Sequence, residues 1–319
     1  MAELKETKGY ANFKGIIGGL DVIKNGKAKD YQYKDDEKLT KMQFSIKTSE
    51  DNMHYIQLIQ FKMGKSRDQV WIVRYDKETK KSETTTMDWS ERNEPLHDGW
   101  RIIGVDLKAK GDDERKSMVA EDAIEYIKDN FNDGDSVFIG TQVSHREYKD
   151  KTYDQFDIKK VFATKDPVDF EAEDFEEIAD FNEQFVFDNV AVVDNEGFVK
   201  GYSISYNGDI TPIQYVVRDK DVLNYFKENV NFGDLLKAEG IVNNRVVYKY
   251  RDAEKDEEDS GVLVGKQTKS SKQNSRIREV ESEDKSMEII GLSDHVKGAY
   301  TEEDLGTINL DDDDSVIPF

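Results

Sequence analysis

The chain has 319 residues, 36% of them hydrophobic and 36% charged, so two compact domains with long polar segments are expected rather than one large core. The absence of cysteine excludes disulfide frameworks, thiolate metal sites and cysteine nucleophiles. The net charge is -22, yet residues 1–165 carry 30 Lys and Arg against 31 Asp and Glu, which leaves room for a basic groove in the first half.

Catalytic and membrane patterns are absent from the sequence. The four histidines are scattered without a metal-ligand or triad spacing, and no phosphate-binding loop or dinucleotide fingerprint occurs. We therefore expect a protein that is not an enzyme and uses no metal or cofactor, with a nuclease as the enzymatic alternative. No signal peptide and no run of roughly 18 apolar residues is present, so a soluble cytoplasmic protein without membrane contact is expected.

The first module, residues 1–165, is predicted to have the order β-β-β-α-β-β. Three runs with alternating apolar residues, at 11–20, 41–49 and 54–63, precede an amphipathic helix that starts near Asp122. Two further strand-like runs follow at 136–144 and 152–163. The segment at about 64–117 interrupts this order and is predicted to be an inserted subdomain.

An internal repeat predicts a second module at residues 182–251. The string DAIEYIKDNFNDGD from Asp122 returns as DVLNYFKENVNFGD from Asp221, with Asp221 as the expected N-cap and Gly134 and Gly233 where each helix stops. Strand-like runs flank both copies in the same order, and the last two strands of the second copy are expected to join at Asn243 and Asn244. The alternative is two small α+β domains that share only a helix motif.

The shared order resembles the OB-fold, whose groove binds oligonucleotides and oligosaccharides. The sequence therefore predicts a mainly β protein with two tandem OB-fold-like barrels. Residues 166–181 form an acidic connector between them, interpreted as a solvated linker or as a competitor for a basic groove.

Two loops of the first module combine lysines or arginines with tyrosines, the pairing that single-strand grooves use for backbone contact and base stacking. From the loop between strands one and two we predict nucleic-acid binding by Lys24, Lys27, Lys29, Tyr31, Tyr33, Lys34 and Lys41. From the hairpin between strands four and five we predict binding by Arg146, Tyr148, Lys149, Lys151 and Tyr153. Acidic neighbours leave a merely solvated surface as the alternative for the lysines.

The insertion holds all three tryptophans. We expect Trp71 and Trp100 to pack a subdomain core, whereas Trp89 lies between polar neighbours and is the better stacking candidate. The nucleic-acid-binding residues predicted from the insertion are Arg74, Tyr75, Trp89 and Arg92. The second module lacks these features, which favours a bracing, protein-docking or dimerisation role, so a homo-oligomer is one expectation.

Residues 252–310 are so polar that we predict a disordered linker. Within it, residues 265–278 carry five basic residues and no acid, which indicates either phosphate contact or a flexible spacer. The strings EIIGL and TINL are short apolar segments that could dock on a partner.

The chain ends in an acidic run followed by Ile-Pro-Phe. This ending resembles the C-terminal tail of bacterial single-stranded DNA-binding proteins, with Ser315 and Val316 departing from the usual pattern. The resemblance implies a partner-binding tip at residues 311–319, in which the terminal aromatic residue docks on replication, repair or recombination proteins. The residues implied are Asp311, Asp312, Asp313, Asp314, Ile317, Pro318 and Phe319. The alternative is an acidic tail that only solvates the chain.

Tandem modules, an insertion and an acidic tail together resemble the single-stranded DNA-binding replication proteins of large bacteriophages. The resemblance implies sequence-nonspecific binding and protection of single-stranded DNA during replication, recombination or repair, in a bacterial host cytoplasm. Expected partners are single-stranded DNA and, through the tail, a polymerase, helicase, primase or nuclease. The alternative is a replisome or recombination scaffold that uses its modules and tail for protein contacts only.

Overall fold

The computed structural model describes residues 4–24, 31–33, 37–62, 68–149, 151–252 and 276–306. Strands account for most of these residues, so the predicted mainly β class is confirmed. The predicted binding residues Lys27, Lys29 and Lys34 and the tip at 311–319 lie outside the described residues.

The described elements follow the chain in two halves. In the first half they are β1 Gly9–Gly18, α1 Leu20–Lys24, β2 Tyr31–Tyr33, β3 Glu37–Lys47, β4 Met53–Lys62, β5 Gln69–Asp76, β6 Lys81–Asp88, β7 Trp100–Ile102, β8 Val105–Lys108, β9 Lys116–Met118, α2 Ala120–Asn130, β10 Ser136–Tyr148 and β11 Lys151–Ala163. In the second half they are β12 Ile178–Val193, β13 Glu196–Ile204, β14 Ile210–Val217, α3 Lys220–Asn229, β15 Leu235–Asp252 and β16 Arg276–Val296.

Five strands of the first half close on themselves, and we call this unit barrel 1. Strand β1 pairs antiparallel with β3 and β10, β3 pairs with β4, and β10 pairs with β11. A parallel bridge between Asp157 and Gln57 joins β11 to β4. The ring order is therefore β1-β3-β4-β11-β10, with α2 between its third and fourth strands in the chain.

The second half repeats this arrangement in barrel 2. Strand β12 pairs antiparallel with β13 and β15, β13 pairs with β14, and β15 pairs with β16. The parallel bridge is between Val216 of β14 and Glu288 of β16. The ring order is β12-β13-β14-β16-β15, with α3 in the position that α2 has in barrel 1.

Apolar residues with a period of two build the interior of both barrels. In β1, buried and less buried residues alternate along the whole strand. Phe13 is fully buried there, and its ring meets that of Phe156 edge-on at 5.1 Å. In barrel 2, Phe185 packs against the buried ring of Tyr215 at 4.9 Å. Burial of large apolar side chains such as these stabilises each barrel.

The two barrels share a sheet, because β1 pairs antiparallel with β12 from Gly9 opposite Glu183 to Lys14 opposite Ile178. The approach is close at Gly9, where an added Cβ would lie 2.9 Å from the Glu183 carboxyl carbon and from Val143 Cβ. Glycine is needed at this position because any side chain would push the strands apart.

A second contact between the barrels involves the end of the connector. The Glu177 carboxylate accepts hydrogen bonds from Thr48 Oγ1 at 2.7 Å and Asn52 Nδ2 at 2.8 Å. It also pairs with Arg245 of β15, whose guanidinium binds Asp51 at 2.7 Å. The expectation of a solvated linker is therefore wrong at Glu177, because this carboxylate bonds to both barrels.

The insertion forms a separate three-stranded sheet in the order β6-β5-β7. Its small core contains Val70, Ile72, Ile102 and Val119. The chain then returns to barrel 1, where β8 pairs in parallel with β11 and antiparallel with β9. The predicted insertion at about 64–117 thus contains both the added sheet and two short strands that extend the main sheet.

Two predictions for barrel 2 are wrong. Strand β15 is continuous through Asn243 and Asn244, and its partner is β16, which lies inside the segment predicted to be disordered. The string EIIGL belongs to β16 rather than to a partner-docking segment, since Ile289 is fully buried and Met287 nearly so. The polarity of residues 252–310 as a whole conceals this short run of core residues.

Residues 297–306 also depart from the predicted disorder, because they cover one end of barrel 2. Tyr300 and Leu305 are buried beside Val186 and Ile204. The Tyr300 amide donates to the Gly233 carbonyl at 3.0 Å. Apolar burial and backbone hydrogen bonds therefore order this segment despite its polar neighbours.

The internal repeat folds into the same turn in both barrels. The amide of Asn132 donates to Asp135 at 2.8 Å, and the amide of Asn231 donates to Asp234 at 2.9 Å. Gly134 and Gly233 follow with φ of +92° and +82°, a conformation that favours glycine. The N-cap of α3 is Asp219 rather than the predicted Asp221, because its side chain accepts the first free amides of the helix.

Candidate nucleic-acid interface

A groove of about 400 Å³ lies on barrel 1 where the outer face of β3 and β4 meets the hairpin formed by β10 and β11. Three exposed tyrosines line it, and we call it the tyrosine groove. Tyr55 is 55% exposed, Tyr148 52% and Tyr153 48%. Other lining residues are Lys41, Gln43, Gln57, Arg146 and Gln155. Half-exposed rings in a polar groove are suitable for stacking on planar ligands.

Strand register places the predicted hairpin residues on one face. Arg146 lies opposite Tyr153, and Tyr148 lies opposite Lys151. Residues directly opposite each other in an antiparallel pair share a face, as do alternate residues of one strand. The structure therefore brings Arg146, Tyr148 and Tyr153 together with Lys41 of β3 in the groove, with Lys151 beside Tyr148 on the same face of the hairpin.

Tyr55 was not among the predicted residues, although strand alternation contains a signal for it. In β4 the buried residues His54, Ile56 and Leu58 alternate with an outer face on which Tyr55 and Ile59 are exposed and Gln57, between them, is buried. The run HYIQLIQF therefore has one face toward the barrel interior and one face that carries Tyr55. Sequence alone does not say that this outer face lies next to the hairpin, which is a long-range contact.

Among the described residues, the lining of the tyrosine groove and the hairpin tip at 146–151 carry more cations than acids. We call the cations Lys41, Arg146, Lys149 and Lys151 the rim cations, and the acids there are Glu147 and Asp154. Lys149 Nζ lies 5.2 Å from the centroid of the Tyr148 ring, a cation–π contact that holds positive charge beside an aromatic face. The rim can therefore attract phosphate while the tyrosines contact bases.

The acidic rim residue Asp154 is paired with a buried histidine, His145. His145 donates to Asp154 at 2.9 Å and to Glu183 of barrel 2 at 2.7 Å, and Tyr215 donates to the other Glu183 oxygen at 2.7 Å. Burial opposes protonation, but the charge of Glu183 and the hydrogen bonds to both carboxylates outweigh it and raise the pKa of His145 to about 10. The imidazolium thus ties the hairpin to barrel 2.

A hydrogen-bond network extends from Gln57, which lines the tyrosine groove. Gln57 Nε2 donates to Asp157 Oδ1 at 2.9 Å, and Ser144 Oγ donates to Asp157 Oδ2 at 3.1 Å. These bonds connect β4, β11 and β10. They hold the strands under the tyrosines in fixed relative positions, which limits the entropy lost when a ligand binds.

The residues predicted from the loop between the first two strands of module 1 do not all lie at the tyrosine groove. Lys24 ends α1 and donates to the Phe131 carbonyl and, at 2.9 Å, to Asn132 Oδ1, so it braces the turn after α2 instead of lining the groove. Tyr31 and Tyr33 lie in β2, which pairs with β3. Lys41 is therefore the predicted loop residue that the described part of the chain places at the tyrosine groove.

The two predicted arginines of the insertion already have acidic partners. Arg74 binds Glu83 at 2.6 Å and stacks 5.0 Å from the centroid of the Trp100 ring. Arg92 makes two hydrogen bonds to Asp122 of α2, at 2.7 and 3.1 Å, and so attaches the insertion to barrel 1. Both arginines therefore already bind acidic side chains, and their predicted role in nucleic-acid binding stays a prediction. Tyr75 is exposed on β5.

The structure contradicts the prediction for one of the three tryptophans. Trp71 is 57% exposed, so its expected core role is wrong, because it lies on the outer face of β5. Trp100 packs against the small core of the insertion, as expected. Trp89 also packs against that core, and the Arg92 guanidinium lies 4.7 Å from its ring centroid.

In barrel 2 the parallel pair β14 and β16 corresponds to β4 and β11 of barrel 1. The seam between β14 and β16 carries one arginine surrounded by acidic side chains. Arg218 binds Glu196 at 2.8 Å, Asp284 at 3.2 Å and also Glu288. Three carboxylates therefore surround one guanidinium, and they raise the pKa of Arg218 although partial burial opposes this. A phosphate backbone would meet net negative charge at this seam.

Neither a metal cluster nor a membrane-spanning helix occurs in the described part of the chain. No group of three or more His, Asp or Glu side chains there could hold a metal ion. None of the helices in those residues is long and apolar enough to span a membrane.

Comparisons with known proteins give a family match and distant solved structures. A family model described as YorF matches residues 106–314. No curated protein matches the chain. Two solved structures of the single-stranded DNA binding protein from Thermus aquaticus are similar at 9% identity. A deletion mutant has a TM-score of 0.37 over 76% of this chain and 89% of that one, and the wild type has 0.34 over 75% and 85%.

Proposed function

The chain belongs to the YorF family, whose model covers more than half of it, and we propose that it binds single-stranded DNA in the tyrosine groove without catalysing a reaction. The observation that carries this proposal is the convergence of Tyr55, Tyr148 and Tyr153 with Lys41 and Arg146 in one groove. Stacking rings bordered by cations is the arrangement that holds single strands without sequence preference.

We assign both barrels to the OB-fold. The assignment rests on the ring order, in which strands 1, 2, 3, 5 and 4 follow one another, strands 3 and 5 run parallel, and a helix connects strands 3 and 4. In this fold the face of strands 2 and 3 and the loop between strands 4 and 5 bind oligonucleotides. The tyrosine groove occupies that face and that loop in barrel 1.

A single strand suits this groove better than a duplex or a sugar chain. Stacking on tyrosine rings requires bases that are not already stacked on both sides by a complementary duplex. The four rim cations favour a polyanion over a neutral oligosaccharide. Barrel 2 is assigned a bracing role, since its seam is acidic and since Glu183 and Arg245 form ion pairs with His145 and Asp51 of barrel 1.

The first test is a salt titration of fluorescently labelled oligo(dT) followed by anisotropy. If each of the four rim cations neutralises one phosphate, affinity is expected to fall about 50-fold between 50 and 200 mM salt, since the slope is roughly -0.7 per phosphate for single strands. Duplex DNA of the same length should compete poorly. Absence of binding at 50 mM salt, or equal competition by the duplex, would refute the proposal.

We also infer that the C-terminal tip recruits replication or recombination proteins. Support comes from the sequence: the side chains of Ile317 and Phe319 can fill an apolar pocket while the four preceding aspartates steer the tip to a positive rim. A chain ending at Leu310 is expected to bind oligo(dT) at least as tightly, because negative charge is removed, and to lose capture of a host replication protein. Unchanged capture by the shortened chain would contradict the recruiting role.

A further inference from the structure

A second cleft, of about 710 Å³, separates barrel 1 from the insertion sheet. We call it the tryptophan cleft. One wall is the outer surface of β4 and β11, with Ile59 and Lys159, and the other comprises Trp71, Trp89 and Ile103 of the insertion. The floor contains Val105 and Val119, so the cleft has an apolar base and a more polar mouth.

The walls of the tryptophan cleft expose large apolar side chains in a fixed arrangement. Trp71, Ile103 and Ile59 are each more than one third exposed. The Ile103 amide donates to the Trp71 carbonyl at 2.8 Å, and the ion pair of Arg92 with Asp122 fixes the turn that carries Trp89. Exposed apolar residues gathered around one concave surface are typical of binding sites.

The tryptophan cleft continues directly from the tyrosine groove. Both lie along the parallel seam of β4 and β11, and Gln155 lines both. Along β4 the groove contains Tyr55 and Gln57, and the cleft begins at Leu58. A ligand that follows the seam from the hairpin toward the insertion therefore passes from tyrosine rings to tryptophan rings.

We propose that the tryptophan cleft is a second stacking subsite, which takes bases of the same single strand after it leaves the tyrosine groove. This rests on the proposed function of that groove. Indole faces supply stacking surface, Lys159 lies near the phosphate path, and the amides of Gln60 and Gln69 can bond to base edges. The number of nucleotides that one chain covers is then set by barrel 1 together with its insertion.

Tryptophan fluorescence reports on this cleft specifically. The chain has three tryptophans, all of them lie in the insertion, and none lines the tyrosine groove. Binding at the groove alone would raise the anisotropy of a labelled oligonucleotide without stacking on indole. Occupation of the cleft adds quenching of tryptophan emission.

The experiment compares labelled oligo(dT) of about 6 and about 20 nucleotides on the full chain and on Trp71→Ala. The wild type is expected to show quenching with the longer strand. Trp71→Ala is expected to lose most of that quenching and roughly 5- to 150-fold in affinity for the longer strand, the equivalent of one base stack, with little change for the shorter. Trp71→Phe should retain binding.

Tyr206→Ala is the matched control, because Tyr206 is 86% exposed on the turn between β13 and β14. Since Trp71 is exposed, its replacement should leave the thermal melting curve unchanged. If the oligonucleotide bound without quenching and Trp71→Ala kept its affinity, the tryptophan cleft would not be a stacking subsite. The proposed binding of DNA in the tyrosine groove would be unaffected by that result. Absence of any anisotropy change would overturn both.

Discussion

Replacement of Tyr55, Tyr148 and Tyr153 together by alanine is expected to weaken binding of single-stranded DNA by roughly 10²- to 10⁴-fold. Each base stack contributes about 1–3 kcal/mol, and neighbouring stacks add incompletely. The measurement is anisotropy with labelled oligo(dT) at fixed low salt. Because the rings are about half exposed, their loss should change the free energy of unfolding little.

Two comparisons separate stacking from general damage. Replacing the same three residues by phenylalanine keeps the ring faces, so affinity should stay within about fivefold of the wild type. Tyr10→Ala removes an equally exposed tyrosine from β1, outside the groove, and should bind normally. If the triple alanine variant bound as tightly as the wild type, the tyrosine groove would not be the binding site.

The second large effect is expected at His145, where stability should fall as pH rises. The folded pKa is about 10, whereas the ordinary value is 6.5. The stabilisation is therefore fully present below pH 6.5 and is lost progressively as the pH approaches 10. The loss should be on the order of a few kcal/mol, since one pKa unit corresponds to about 1.4 kcal/mol. Urea unfolding at pH 6.5, 8 and 9.5 measures it.

His145→Gln should remove this slope and lower the free energy of unfolding at pH 6.5 by about 3–5 kcal/mol, because Glu183 would remain buried without a cation. The double variant His145→Gln/Glu183→Gln should recover part of the loss. His97→Gln, at an exposed position in the insertion, is the matched control. An unchanged pH slope in His145→Gln would mean that this histidine is not the titrating group.

The tyrosine and the His145 predictions concern the same hairpin, formed by β10 and β11. Its exposed face presents Tyr148 and Tyr153 to the groove, and its buried residue His145 holds it against Glu183 of barrel 2. The Thr152 hydroxyl also donates to the Pro212 carbonyl of barrel 2 at 2.9 Å. Barrel 2 therefore contributes to the candidate site by fixing the hairpin, with no need for a groove of its own.

The hairpin of the candidate site could be predicted from sequence, but the complete groove could not. Tyr148, Tyr153 and Arg146 lie within one short stretch, so strand alternation alone places them on a common face. Tyr55 is distant in sequence and joins them only because β4 and β11 run side by side. The exposure of Trp71 depends in the same way on which face of β5 packs against the small core of the insertion.

Local sequence patterns gave a wrong prediction where a strand depends on a partner far away in the chain. The polar stretch after Asp252 contains β16, which is stable because β15 offers a complete edge and the barrel interior accepts Met287 and Ile289. The ion pairs of Arg74 with Glu83 and of Arg92 with Asp122 are likewise set by the fold and could not be read from the sequence.

By itself the sequence determined the mainly β class, the order of three strands followed by a helix in each half, the repeated turn around Gly134 and Gly233 and the approximate position of the insertion. These features follow from short-range periodicity and from backbone conformations that particular residues require. Only the tertiary structure decided which faces line the tyrosine groove, which charges are already paired and where β16 lies. Those properties depend on contacts between residues far apart in the chain, which local periodicity does not encode.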